Sequence, residues 1–159
     1  MQYAWPLIPA SALALSVTWS DVSLANCQRS AARMIMAEFS GYPHTIWFQG
    51  HWGFQYYMES SGAKALDFKK SKLKQGDVII MPLNNTNVKL LSGKLFHLVR
   101  KRQLMPCRWL GTMSRKNGAC FYCNLYGPLP FSIGNIDPEE YLIYLVGNFK
   151  RPDEAIKHF

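Results

Sequence analysis

The sequence predicts an α/β fold: a three-layer, Rossmann-like domain with a mixed sheet, preceded by an apolar segment. One reason is a strand, turn and helix unit within residues 45–59, which is the unit from which α/β sheets are built. Another is the continuous apolar run Val78–Met81, which has the length of a strand covered on both faces. A third is the Asn117-Gly118 dipeptide, a strong hairpin signal that indicates antiparallel strands in the second half.

The length and composition are those of a single globular domain. The chain has 159 residues, of which 48% are hydrophobic, enough to form a core. Its formal net charge is +8, which raises the expectation of an anionic partner but is more often that of a solvated basic surface. We expect three segments: an apolar segment over 1–19, a soluble α/β domain over 20–147 and a polar tail over 148–159.

The N-terminal segment carries no charged side chain through Ser20. Its run of about 17 apolar or small residues is slightly short of a full membrane span, and it lacks the positive n-region of a signal peptide. Trp5 and Trp19 stand near its two ends, as in the aromatic belts of membrane helices. We interpret it as the end of a transmembrane helix, with a complete short span or a buried helix as alternatives.

A separate amphipathic helix is expected over Asp21–Phe39, with Ser20 or Asp21 capping its start. In the strand, turn and helix unit, the strand is Thr45–Phe48 and the helix starts near Phe54 and ends at Gly62. Further strands are expected at 63–68, 94–102, 119–126 and 142–146. A short helical start is expected at 136–141.

Four cysteines stand at positions 27, 107, 120 and 123. Cys120 and Cys123 have the CxxC spacing, but their flanks are β-prone, and residues i and i+3 of a strand point to opposite faces. No second CxxC or histidine pair completes a zinc set. We therefore expect buried free thiols, with a disulfide from Cys107 as the alternative in an oxidising compartment.

Polar or amphipathic side chains follow the predicted strand at 45–48 and the apolar run at 78–81. His51, Trp52 and Gln55 lie at the first turn, and Asn84 and Asn85 follow the run that Pro82 ends. Ligands of open α/β sheets bind at the carboxyl ends of strands, so these five residues are the candidate binding site. The structural alternative is that Trp52 packs in the core at the helix start and that Asn84 and Asn85 only form a turn.

No catalytic constellation is visible in the sequence. It contains no P-loop, no GxGxxG and no GxSxG motif, and nothing calls for a cofactor or a metal. Glu139 and Glu140 are adjacent carboxylates, but on a helix they would point apart, which makes a poor acid and base pair. A stand-alone enzyme with His51 as its base is the weakest interpretation, because no nucleophile or carboxylate lies near it in sequence.

Three segments resemble one protein family. Trp47–Glu59 with its GHWGFQYY string, Gly76–Pro82 followed by Asn84–Thr86, and Gly127–Phe131 are similar to the C-terminal soluble region of bacterial multi-pass membrane glycosyltransferases. That family is related to the dolichyl-phosphate-mannose protein mannosyltransferases. The resemblance covers about residues 1–146, and the GHWGFQYY string is its most specific part. The CxxC motif and the lysine run at 69–74 do not match the family.

The resemblance implies an accessory domain on the extracytoplasmic, periplasmic face of a membrane, in contact with an acceptor glycan or a lipid-linked sugar. The family's catalytic acidic residue lies in a membrane part that this sequence does not contain, so no catalytic residue is carried over. Arg29 and Arg33 follow the apolar segment, which alone would place the domain in the cytoplasm. We follow the resemblance, because all the helices of a multi-pass protein set its orientation.

The alternative function is a free-standing α/β binding protein for an anionic ligand such as nucleic acid. The lysine run and Arg100–Arg102 motivate it, and a basic surface is what a phosphate backbone requires. A solvated basic loop explains the same lysines. Within the glycosyltransferase interpretation, nucleic acid is not an expected partner.

Overall fold

The computed structural model describes residues 5–91, 94–123 and 125–147. Within these ranges the chain forms two helices and nine strands. The helices are α1 (Leu7–Glu38) and α2 (Trp52–Ser60). The strands are β1 (Ile46–Phe48), β2 (Lys64–Ala65), β3 (Val78–Pro82), β4 (Phe96–Leu104), β5 (Leu110–Gly111), β6 (Met113–Ser114), β7 (Ala119–Cys120), β8 (Ser132–Ile133) and β9 (Glu139–Val146). The polar tail expected at 148–159 lies outside the described residues.

The chain divides into two compact units. The hairpin unit consists of Met1–Cys27 and Met105–Pro138, and the sheet unit consists of Gln28–Leu104 and Glu139–Phe159. Helix α1 contributes residues to both units. The boundaries expected from the sequence, at residues 19 and 147, stay a prediction.

Helix α1 runs without interruption for 32 residues, so the expectation of a separate helix starting at Ser20 or Asp21 is wrong. Neither side chain caps a helix. Ser20 Oγ donates to the carbonyl of Leu110 at 2.6 Å, and Asp21 accepts a hydrogen bond from Thr112 Oγ1 at 3.1 Å. No glycine or proline lies between Pro9 and Glu38 to stop the helix.

By length and composition α1 is able to cross a membrane, and only 11% of its most apolar stretch is buried. A membrane anchor and a signal sequence both have this character. The sequence expectation of an apolar N-terminal helix is therefore confirmed.

The main sheet has five strands in the order β2-β1-β3-β9-β4. Strand β1 pairs in parallel with β2 and β3, and β9 pairs antiparallel with β3 and β4. The predicted mixed sheet is confirmed. All five residues of β3 are buried, as its continuous apolar run predicts.

The two faces of this sheet are covered differently. One face packs against both helices through Ala31, Ile35, Phe54 and Met58. The opposite face, with Ile79 and Met81 at its centre, is covered by side chains from irregular segments: Leu66, Leu73, Leu83, Val88 and Leu91. The sheet unit is therefore mixed α/β, and the three-layer Rossmann-like arrangement is not confirmed.

The helical start expected at 136–141 is wrong, because Glu139 begins strand β9. Residues alternate faces along this strand: Tyr141, Ile143 and Leu145 join the cluster under the helices, while Tyr144 and Val146 join the other. This alternation is the strand period. It places Glu139 on the helix-facing side of the sheet.

The hairpin unit contains two small sheets, β5 with β8 and β6 with β7. The connection between β6 and β7 holds Asn117-Gly118, so the predicted hairpin is confirmed. The returning strand expected over 119–126 is only Ala119–Cys120. Leu24, Met113 and Cys120 form the buried cluster of this unit.

Cys120 and Cys123 form a disulfide, and Cys27 and Cys107 are buried thiols outside it. The expectation of free thiols at the CxxC motif is therefore wrong. It assumed that a strand continues to Cys123, but the strand ends at Cys120 and the chain turns. The turn brings the two Cα atoms to 5.2 Å, within the range of a disulfide.

Thiol counting tests this pairing. We expect alkylation of the unfolded, unreduced protein to label the two cysteines at positions 27 and 107, and alkylation after reduction to label all four. Mass spectrometry of the peptides identifies the positions. Four labelled thiols before reduction, in protein kept under oxidising conditions, would contradict the pairing. Because the disulfide closes a very short loop, we expect its reduction to lower the free energy of unfolding by about 2 kcal/mol or less.

Candidate functional site

The candidate site is built on the turn between β1 and α2. Gly50 has φ of +96°, and a Cβ there would lie 2.9 Å from Pro82 Cγ, so only glycine fits. Trp52 also has a positive φ, of +59°, a conformation that costs an ordinary residue about 1–3 kcal/mol. The side chain of Trp52 is 42% exposed. The turn thus holds a strained, half-exposed indole at the first position of α2.

Asn85 fastens this turn to the loop after β3. Its Oδ1 accepts from the backbone N–H of His51 at 2.9 Å, and its Nδ2 donates to the carbonyl of His51 at 3.4 Å. Asn85 is only 5% exposed, so this amide bonds backbone and does not face solvent. It acts as a positioning residue, the structural alternative that the sequence left open.

Gln49 makes a second such connection, which the sequence interpretation missed. Its Nε2 donates to the carbonyl of Lys89 at 3.1 Å, and its Oε1 accepts from the N–H of Lys89 at 2.7 Å. Gln49 is buried and directly follows β1. A polar residue just after an apolar strand is the sequence feature that could have indicated its role. Gln49 and Asn85 together hold the segment after β3 against the start of α2.

A row of polar side chains lies on the outer side of α2. His51 Nδ1 lies 3.2 Å from Gln55 Oε1, and Gln55 Nε2 donates to Glu59 Oε1 at 2.9 Å. His51 precedes the helix, but its side chain makes no capping hydrogen bond. With the indole of Trp52, this row is the exposed part of the candidate site, and we call it the α2 row (His51, Trp52, Gln55, Glu59).

Asn84 does not join the α2 row. Its Nδ2 donates to Glu139 Oε1 at 2.6 Å. The antiparallel register explains the pairing: Pro82 lies opposite Tyr141, so Asn84, two residues after Pro82, meets Glu139, two residues before Tyr141. Sequence reasoning missed Glu139 because it expected a helix there.

Glu139 is a buried carboxyl group, with only 3% of its surface exposed. Burial raises the pKa of Glu139 to about 7, and the hydrogen bond from Asn84 opposes this rise. Desolvation penalises the charged carboxylate, so the neutral acid is favoured well above the usual range. The group is too enclosed to meet a substrate, and we assign it no catalytic part.

The hairpin unit holds a separate cleft of about 230 Å³. It is lined by Val17, Thr18, Asp21, Thr112, Phe121 and Tyr122. The hydroxyl of Tyr122 donates to Asp21 Oδ2 at 2.5 Å. Burial, followed by this hydrogen bond and the carboxylate charge, raises the pKa of Tyr122 to about 12. The phenol therefore stays protonated and keeps donating to Asp21 across the physiological pH range.

The basic side chains that motivate the anionic-ligand alternative are of two kinds, some paired with carboxylates and some exposed. Arg100 and Arg102 both pair with Glu38, at 2.9 and 2.6 Å, and Lys101 pairs with Glu140 at 2.6 Å. The lysines of the run 69–74 are exposed on an irregular segment. Within the residues that the structure describes, no three histidine, cysteine, aspartate or glutamate side chains group as a metal site.

Comparison with known proteins adds no relative: no protein-family profile, curated protein or solved structure matches this chain. The resemblance to membrane glycosyltransferases stays a prediction that rests on the sequence segments given above. The structure brings His51, Trp52, Gln55 and Asn85 to one turn, and it directs Asn84 to Glu139.

Proposed function

We propose that this chain is an accessory, extracytoplasmic domain of a membrane glycosyltransferase that uses a lipid-linked sugar donor. It contacts the acceptor or the donor headgroup and is not catalytic by itself. The observation that carries the proposal is the unbroken helix α1 (Leu7–Glu38). Its first part is an exposed apolar stretch with the composition of a membrane span, and Ala31 and Ile35 of its later part lie in the core of the sheet unit.

The exposure pattern along α1 supports membrane attachment. Leu7, Ile8 and Leu15 are all more than 60% exposed, whereas Ala31 and Ile35 are fully buried. Each large apolar side chain left in water forgoes about 1.5–3 kcal/mol of burial energy. A bilayer around the first part of α1 removes that cost, and the second part supplies the helix layer of the sheet unit.

The disulfide supports the extracytoplasmic side. Disulfides persist in oxidising compartments such as the periplasm and are rare in the cytosol. The pair Cys120 and Cys123 lies in the hairpin unit, which also contains the apolar part of α1. This agrees with the orientation that the family resemblance implies.

The α2 row supports contact with a sugar. Saccharides bind where an aromatic face stacks on the ring and polar side chains bond its hydroxyls. The indole of Trp52 is half-exposed, and His51, the residue before it, has its Nδ1 3.2 Å from the amide oxygen of Gln55. The site lies at the carboxyl end of β1 beside β3, the position that ligands take in Rossmann-like domains, so we propose the Rossmann-like relationship as well.

The test is a complementation experiment on the complete enzyme. Cells that lack the gene are complemented with wild type, with His51→Ala/Gln55→Ala, or with the control Lys64→Ala, which changes an exposed residue of β2. Mass spectrometry measures the sugar transferred to the cell envelope. Each lost hydrogen bond is worth about 0.5–1.5 kcal/mol, so we expect the double variant to transfer about tenfold less and the control to match wild type.

Unchanged transfer by a double variant that is present in the membrane at wild-type level would remove the α2 row from the site. Complementation restoring no sugar in any strain, wild type included, would remove the glycosyltransferase assignment. In that event a salt-dependent gel shift with single-stranded DNA tests the anionic-ligand alternative. That alternative requires the exposed lysines at 69–74, since Arg100–Arg102 already have carboxylate partners.

A further inference from the structure

The loop closed by the Cys120–Cys123 disulfide carries two exposed aromatic rings. Phe121 is 57% exposed and Tyr122 is 51% exposed, and their ring centroids lie 5.2 Å apart in an edge-on arrangement. The base of the loop is fixed, because Cys120 packs with Leu24 and Met113 in the buried cluster of the hairpin unit. The loop thus presents an aromatic pair on a rigid support.

This aromatic pair lies beside the end of the apolar part of α1. Phe121 and Tyr122 line the same cleft as Val17 and Thr18, and Tyr122 donates to Asp21 at 2.5 Å. Asp21 is the first charged residue of the chain. If α1 spans a bilayer, the boundary between hydrocarbon and headgroups therefore falls at the level of this loop.

We propose that the Cys120–Cys123 loop is a second membrane contact, an interfacial anchor that inserts Phe121 and Tyr122 into the headgroup region of the bilayer beside α1. The inference rests on the membrane attachment in the proposed function, but not on the glycosyltransferase assignment. Aromatic rings concentrate at membrane interfaces, where one edge is apolar and the polar tip stays hydrated. Trp19, itself 67% exposed, lies at the same level of the helix.

The rest of the hairpin unit has the surface of an interfacial module. Its exposed large apolar side chains include Trp109, Leu125, Leu129 and Ile133, which is unusual for so small a segment facing water. Between residues 105 and 138 the charged side chains are Arg108, Arg115, Lys116 and Asp137, an excess of two positive charges. Anionic headgroups attract such an excess.

The membrane is favoured over a protein partner as the occupant of this surface, because the surface is continuous with the exposed apolar part of α1. The aromatic pair adjoins the one described helix that is able to cross a membrane, and both share one cleft. The polar turn of the β6–β7 hairpin, with Arg115 and Lys116, is at the opposite end of that hairpin from the aromatic loop. The hairpin therefore has an apolar end and a charged end, as expected for insertion at an interface.

Fluorescence quenching by brominated lipid tests the anchor. The full chain is reconstituted into vesicles of phosphatidylcholine and phosphatidylglycerol, with and without bromine on the acyl chains. Three forms are compared: wild type, Phe121→Trp and the control Lys116→Trp at the charged end of the same hairpin. For the tryptophan added at 121 we expect about twofold quenching beyond the wild-type signal, and little for that added at 116, since interfacial side chains reach about 5–10 Å into the bilayer.

Each other outcome overturns the inference. Quenching of the native tryptophans by bromolipid with no added quenching at 121 would remove the loop from the membrane. Equal quenching at 121 and 116 would mean that the hairpin has no preferred end. Protection of 121 from aqueous acrylamide without quenching by bromolipid would place the ring against protein, in this chain or in a second copy, and remove it from the bilayer. Absent wild-type quenching would overturn the membrane attachment together with the anchor.

Discussion

Replacing Gly50 with alanine is expected to lower the free energy of unfolding by about 3 kcal/mol or more. Two costs combine at this position. The φ of +96° disfavours any residue with a Cβ. The added methyl would also lie 2.9 Å from Pro82 Cγ and 3.1 Å from Asn85 Cγ, so the connection between the β1–α2 turn and the loop after β3 must shift.

Gly62→Ala is the matched control for this prediction. Gly62 has nearly the same φ, +93°, but no atom lies within 4 Å of its ideal Cβ. It bears only the backbone cost, about 1–2 kcal/mol. Denaturant unfolding of both variants in detergent micelles, followed by circular dichroism, gives the comparison. Equal destabilisation by the two alanines would contradict the close packing at Gly50.

Glu139→Gln is expected to remove a large pH dependence of stability. The native pKa of Glu139 is about 7, against an ordinary value of 4.5, so the folded chain holds this proton more tightly than the unfolded chain. The favourable contribution of the protonated acid is fully present below about pH 4.5 and is lost as the pH rises through about 7. The total is about 3 kcal/mol.

Glutamine keeps an oxygen for the amide of Asn84 and removes the proton equilibrium. We expect wild type and Glu139→Gln to have similar stability near pH 4.5, and the variant to be more stable by up to about 3 kcal/mol at pH 8. Unfolding curves of both proteins at several pH values measure this difference. A constant difference across the whole range would mean that Glu139 is not the titrating group.

The sheet was predictable where hydrophobic pattern alone decides. The continuous run at Val78–Met81 and the last expected strand at Leu142–Val146 both lie in strands of the main sheet. The errors lie where long-range contacts decide. Ser20 and Asp21 have the residue types of a helix cap, yet they bond Leu110 and Thr112, about ninety residues away. The chain turn that closes Cys120 on Cys123 is likewise set by packing that no local pattern reports.

The candidate site was predictable in position but not in the division of roles. In the structure His51 lies in the turn after β1, Trp52 and Gln55 lie in α2, and Asn84 and Asn85 follow β3. The sequence could not tell which amides face solvent. Asn85 and Gln49 bond backbone in the interior, and Asn84 bonds a buried acid on β9. That acid is far away in the chain, and only the register between β3 and β9 brings it to Asn84.

Membrane attachment on the extracytoplasmic side is the central claim, and protease accessibility in spheroplasts tests it most directly. An antibody against the sheet unit follows the protein through alkaline carbonate extraction and through digestion of intact spheroplasts. We expect the protein to stay in the carbonate-washed membranes and the sheet unit to be digested before lysis. Release by carbonate, or a sheet unit that is protected until the spheroplasts are lysed, would contradict it.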